Sequence, residues 1–123
     1  MMGKIVGWAG AMVLATAMPA MAQSACREPI VPPAIDGSTA TEPQMKAQQL
    51  DVKTFLKDSD DYQECLIRSL EAAIAAAKKN QTEVDERFET AVQVKIQSNQ
   101  LLKERVGALF NAAVRVFSAK HPG

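Results

Sequence analysis

The chain has 123 residues, and its 14 basic and 14 acidic residues give a formal net charge of zero. This length has room for one small domain. The interspersed charges form no basic stretch, so we expect no nucleic-acid partner and no attraction to an anionic membrane.

The first 22 residues resemble a secretory signal peptide in their build. Lys4 precedes an apolar run over 5–17, and the small residues Ala20 and Ala22 stand at the third and first positions before the expected cut. The alternative is a membrane anchor, but about 14 apolar residues fall short of the roughly 20 that span a bilayer. We therefore expect cleavage after Ala22, a periplasmic or secreted location, and no membrane insertion of the mature chain.

Two cysteines follow, Cys26 and Cys65. An even number of cysteines in an exported chain favours a disulfide, and their wide separation is unlike the spacing of a redox or zinc motif. The alternative is lipidation of Cys26, for which the small Ala25 fits the usual signal but Gln23 does not. The disulfide is the favoured interpretation.

Residues 23–41 are predicted to form an extended arm. Three prolines oppose helix formation, and Asp36-Gly37 favours a turn. If Cys26 is bonded to Cys65, the arm must run back along a helix as a strap. Three apolar residues of the arm are expected to pack on that helix, namely Ile30, Val31 and Ile35.

Residues 42–79 are predicted to form the first helix. Thr41 and Gln44 have the spacing of a capping box, and an apolar stripe keeps helical phase through the whole stretch. The acidic segment 58–61 offers residues that could cap a new helix, which would break or kink the first one. Because the stripe crosses this segment in register, we favour one helix, and we expect Asn80 to adopt the left-handed conformation at its end.

Residues 82–119 are predicted to form the second helix, with Thr82 as its cap. Lys95 and Asn99 interrupt the apolar stripe, and Gly107 is expected to mark a close approach of the arm or of a second chain. The stripe consists of Val84, Phe88, Ala91, Leu102, Val106, Phe110, Ala113 and Phe117.

A short connection between two long helices predicts an all-α antiparallel hairpin over residues 42–120. Folding at Asn80-Gln81 brings residues together whose numbers sum to roughly 161, so that Asn99 meets Tyr62. Both are polar residues in an apolar stripe, and we expect a buried hydrogen bond that fixes the helix register. The alternative is a polar pocket that these two residues form with Lys95.

The sequence contains no catalytic, cofactor-binding or metal-ligating constellation. His121 is the only histidine and stands near the chain end, and no serine has a base at a suggestive spacing. The acidic segment 58–61 lacks the alternating oxygen ligands and the glycine of a calcium-binding EF-hand loop. We therefore predict a protein without enzymatic activity or cofactor.

A longer pattern concerns the C-terminal half. It runs Asn99-Gln100-x-x-Lys103-x-x-Val106-Gly107-x-x-Phe110-Asn111-x-Ala113-Val114 and ends in Lys120-His121-Pro122. With the Tyr-x-x-Cys-Leu segment at 62–66, the Cys-Pro-rich arm and the Asp-Gly turn, it resembles a group of small uncharacterised secreted proteins of proteobacteria. The resemblance implies a periplasmic location and brings no activity.

Together these features predict a non-enzymatic periplasmic helical protein that acts through a protein partner or a homo-oligomer, as a chaperone-like or structural component of the envelope. The alternative is a module that binds a small ligand or a metal.

Overall fold

A computed structural model describes residues 26–123, and the predicted signal peptide lies outside them. Helix α1 spans Glu42–Lys79 and helix α2 spans Glu86–Lys120, and the two pack against each other as an antiparallel hairpin. The described part contains no β-strand. The prediction of an all-α hairpin is confirmed. Within residues 26–123, neither helix has an apolar stretch long enough to cross a membrane.

Helix α1 begins with the predicted capping box. The backbone N–H of Gln44 donates to the Thr41 hydroxyl at 3.3 Å, and the Gln44 side chain accepts from the Thr41 N–H at 2.8 Å. The helix then continues for 38 residues without a break. Ser59, in the acidic segment, is fully buried against α2 and therefore does not cap a new helix.

The turn after α1 differs from the prediction at Asn80. Asn80 has φ −88°, whereas Gln81 has φ 54° and is the left-handed residue. The N–H of Gln81 bonds to the carbonyl of Lys78, and the N–H of Thr82 bonds to that of Ala77 at 2.8 Å. These two bonds form a Schellman motif, in which the left-handed residue follows the C-cap.

Helix α2 begins four residues later than predicted. Thr82 belongs to the end of α1, since its hydroxyl also donates to Ala77. Asp85 is the actual N-cap of α2, and its carboxylate accepts from the N–H of Arg87 at 2.9 Å. A carboxylate in this position also interacts favourably with the positive end of the helix dipole.

Spacings of three and four residues generate the interface between the helices, as in a coiled coil. On α2 the interface includes Val92 and Ile96, whereas Ala91 and Lys95 are exposed, so the predicted stripe was one residue off here. The buried α1 residues are Met45, Val52, Phe55, Ser59, Tyr62 and Leu66, and the partly buried Leu56 and Leu70 pack against them. The buried α2 residues are Val92, Asn99, Val106 and Ala113, and the partly buried Phe88, Ile96, Leu102, Phe110 and Phe117 pack against the same clusters.

The arm lies over this interface and is anchored at both ends. Near α2, Asp36 closes a turn by accepting from the hydroxyl and the N–H of Ser38, and these bonds lower the pKa of its carboxyl group. Gly37 contacts the backbone of Ala113 so closely that a Cβ would overlap with the Ala113 carbonyl group. The close approach predicted for Gly107 is thus made by Gly37, since Gly107 faces open space.

Only part of the arm packs as expected. Ile35 packs against a buried cluster at the open end of the hairpin. The carbonyl of Pro33 accepts from the Gln48 side chain at 2.6 Å, which ties the middle of the arm to α1. Ile30, in contrast, is 88% exposed, and Val31 is 45% exposed. Our expectation that Ile30 packs on a helix was wrong.

Candidate interaction surface

A disulfide joins Cys26 to Cys65, with 5.6 Å between their Cα atoms. The predicted covalent attachment of the arm is confirmed. The lipidation alternative required the same Cys26 sulfur, which the disulfide occupies. Cys26 also packs against a cluster that includes Tyr62, Leu66 and Val92, so the disulfide closes one end of the arm over the apolar interface.

A layer of polar side chains crosses the middle of the hairpin. Asn99 is buried, donates to the hydroxyl of Ser59 at 3.5 Å, and accepts from the Gln63 side chain at 2.9 Å. The hydrogen-bond partner predicted for Asn99, Tyr62, was wrong, because Asn99 lies between Ser59 and Gln63, which are one turn apart on α1, and bonds to both. Among residues 26–123, no buried side-chain nitrogen or oxygen lacks a partner.

The layer continues to the surface through an ion pair. Lys103 lies at the helix interface with one fifth of its side chain exposed, and its ammonium group binds the carboxylate of Asp60. The Lys103 side chain therefore extends from α2 to Asp60 on α1, and its methylene groups cover apolar surface on the way. Polar groups that pair only in one alignment favour a single helix register over shifted ones.

Tyr62 lies next to this layer and beneath the arm. Its ring belongs to the buried cluster near the disulfide. Burial raises the pKa of its hydroxyl, and the negative charge of Glu28 on the arm adds to the effect. Tyr62 is therefore a neutral, buried side chain at physiological pH rather than a base or a nucleophile.

Lys95 lies outside the helix interface, but it is close to both predicted neighbours. Tyr62, Lys95 and Asn99 line one open cavity of about 360 Å³, together with arm residues Glu28 and Pro29. The structure thus brings the three predicted residues to one place. Lys95 stands at the exposed edge of that cavity.

A second cavity, of about 270 Å³, adjoins the first along the arm. Val31 and Leu102 line both cavities. Ile35, Leu109 and Phe110 complete the apolar wall of the second one. The two cavities therefore form a groove with mostly apolar walls between the arm and α2.

Along the edge of this groove, α2 carries a second apolar stripe, of which Val94 and Leu109 also line the two cavities. We call it the outer stripe and define it by four large residues spaced at seven, eight and seven positions. Because two helical turns span about seven residues, these side chains share one face of the helix. Their exposed fractions are 53, 66, 47 and 43% for Val94, Leu101, Leu109 and Val116, respectively.

The outer stripe is the feature that our sequence analysis missed. Its spacing is visible in the sequence, but the stronger stripe of the helix interface contains the aromatic residues and dominates the pattern. The remaining positions of the outer face are mostly small, at Ala91, Ser98, Ala108 and Ala112. Small residues let another backbone approach closely.

Residues 26–123 contain no group of three or more metal-ligating side chains that could hold an ion. The fold and surface define an all-α hairpin with a disulfide-tethered arm and an exposed apolar helix face. Comparison with protein-family models, with curated proteins and with solved structures finds no match to this chain.

Proposed function

We propose that this chain is a non-enzymatic exported protein of the periplasm that binds another polypeptide through the outer stripe of α2. In this proposal the hairpin and the arm serve as a rigid support, and the stripe carries the function. A structural or chaperone-like role in the envelope would use the same surface.

The proposal rests on the number of large apolar side chains that the fold leaves exposed. In the described part, ten large hydrophobic side chains are exposed, whereas nine hydrophobic residues are buried. Single exposed apolar residues are ordinary, but a continuous apolar patch on a small protein usually marks a binding surface. Four of the ten exposed side chains form the outer stripe.

The location of the charges supports the same surface. The helix face that carries the outer stripe, from Ala91 to Val116, contains no acidic residue, and Arg105 is its one charged residue. Depletion of charge at the centre, with an occasional arginine, is typical of protein–protein interfaces. Export is supported by the disulfide, since disulfides persist in oxidising compartments.

A matched pair of substitutions tests the proposal. Leu101 on the outer stripe and Leu50 on α1 are 66 and 64% exposed. Leu101 has Val94 and Leu109 two turns away on its helix face, whereas Leu50 has no large apolar residue at that distance. We expect Leu101→Glu to abolish capture of specific partners by the tagged mature chain in periplasmic extract, and Leu50→Glu to leave capture intact. Equal capture by both variants would contradict the proposal.

The groove beside the arm favours a second candidate, binding of a small apolar ligand. Its apolar walls and the adjoining Lys95 suit a molecule with a hydrocarbon chain and one anionic group. Native mass spectrometry of protein purified from periplasm should then find a bound mass. Leu102→Glu, in the wall shared by both cavities, should remove that mass.

A further inference from the structure

We propose that the polypeptide on the outer stripe is a second copy of this chain, joined by antiparallel pairing of the two α2 helices. This inference rests on the proposed function and specifies its partner. Three features of α2 support this pairing: the period of the stripe, the positions of Leu101 and Ala108, and the charges at its centre.

The period of the stripe fits another helix. Exposed positions of this face recur at spacings of three and four over 25 residues, which corresponds to about 37 Å of helix. Such a spacing lets side chains of one helix insert between those of a second helix of similar length. Every copy of this chain presents a helix of that length and period. The positions are Ala91, Val94, Ser98, Leu101, Arg105, Ala108, Ala112 and Val116, and Leu109 lies next to Ala108 on the same face.

The order of large and small residues favours the antiparallel direction. When two copies of α2 are paired in opposite directions about an axis between residues 104 and 105, the large Leu101 of each copy lies beside the small Ala108 of the other. Large side chains facing small ones interdigitate at the density of a protein interior.

A parallel, aligned pair would lose this fit. Leu101 would then meet Leu101, and Ala108 would meet Ala108. The antiparallel direction is also that of a closed two-fold dimer, in which residue i contacts residue j and residue j contacts residue i.

The charges at the centre become reciprocal in the antiparallel pair. Neither Glu104 nor Arg105 takes part in an ion pair among residues 26–123. Glu104 accepts only a long bond from the Gln100 side chain, at 3.5 Å. With the two-fold axis between residues 104 and 105, Arg105 of each copy lies at the level of Glu104 of the other copy. Two ion pairs would thus form across the axis.

Sedimentation velocity of the mature chain, over a range of concentrations, tests the association. We expect a species of twice the chain mass that dissociates on dilution. Leu101→Glu should shift it to monomer, and Leu50→Glu should not, with circular dichroism confirming that both variants remain helical. A monomer at every concentration would overturn the second-copy proposal. Loss of partner capture by Leu101→Glu in that situation would still support the proposed function.

Cysteine cross-linking tests the direction. Gln97 and Asn111 lie on opposite sides of the proposed axis, each about seven residues from it, and are both exposed. Each would be about 21 Å along the helix from its own counterpart, but close to the other residue in the partner copy. A short bismaleimide should therefore cross-link a mixture of the Gln97→Cys and Asn111→Cys variants, and neither variant alone. Cross-linking within each single variant would overturn the antiparallel pairing.

Discussion

Removal of the disulfide should cost a large part of the stability of this protein. Cys26 and Cys65 are separated by 39 residues. In the loop-closure description, cross-linking a loop of that length reduces the entropy of the unfolded chain and stabilises the fold by about 4 kcal/mol. For a domain of roughly 100 residues, this corresponds to a fall in Tm of roughly 15–30 °C when the bond is absent.

Urea unfolding followed by circular dichroism measures this effect. The double variant Cys26→Ser and Cys65→Ser should unfold with a free energy about 4 kcal/mol lower than the oxidised chain. Its m-value should be larger, because the uncrosslinked chain exposes more surface when it unfolds. Reductant should destabilise the native chain by a similar amount and leave the double variant unchanged. A difference below about 1 kcal/mol would refute the argument, since loop closure would then contribute little.

Three further predictions concern the helix interface, the arm and the buried tyrosine. Asn99→Ala should cost about 1–3 kcal/mol of unfolding free energy because it leaves the buried Ser59 hydroxyl without its partner. A double-mutant cycle with Ser59→Ala should show coupling between the two, and strict additivity would contradict the hydrogen bond. Gly37→Ala should destabilise by about 1–3 kcal/mol, since a Cβ overlaps with α2. Gly107→Ala should stabilise by about 1 kcal/mol, because the site is open and helical; equal effects in urea unfolding would be inconsistent with the close approach of the arm. Tyr62, the only tyrosine, should ionise above the ordinary pKa of about 10 when absorbance is followed against pH. The folded state then holds the proton more tightly than the unfolded state, so the free energy of unfolding should fall as the pH rises from about 10 through the raised pKa. An ordinary midpoint would contradict the burial of this hydroxyl.

The helices and their pairing could be predicted because local and long-range signals agree. Thr41 and Gln44 cap α1 through bonds that depend on nearby backbone alone. The stripe of α1 identifies its buried face, and the two cysteines limit where the arm can run. Each of these signals is encoded within a few residues or by a unique pair, so the sequence determines it without tertiary information.

The details of the turn could not be chosen from the sequence. Thr82 and Asp85 both have side chains that can cap a helix, and Thr82 instead bonds back to the last turn of α1. Similarly, Asn80 and Gln81 both lie in the turn after α1, and Gln81 is the one that adopts the left-handed conformation. Asparagine is the commoner left-handed residue, but here the Schellman bonds determine the position.

The sequence indicated which residues lie together at the candidate site, but it did not indicate their contacts. Tyr62, Lys95 and Asn99 do line one cavity. The predicted partner of Asn99, Tyr62, was wrong because Asn99 bonds to Ser59 and Gln63, on either side of the predicted level, and apolar spacing alone does not show which side chains of that turn reach it. The sequence offers two apolar series near Lys95, and the one that contains the larger Val92 packs.

Site-specific photo-crosslinking in intact cells tests whether the outer stripe of α2 is the interaction surface. A photoreactive amino acid would replace Leu101 on the outer stripe, or Leu50 on α1, which has nearly the same exposure at 64% against 66%. We expect a discrete cross-linked product from position 101, at twice the chain mass if the partner is a second copy, and none from position 50. Absence of any product at position 101, or equal products at both positions, would contradict the claim that the outer stripe is the interaction surface.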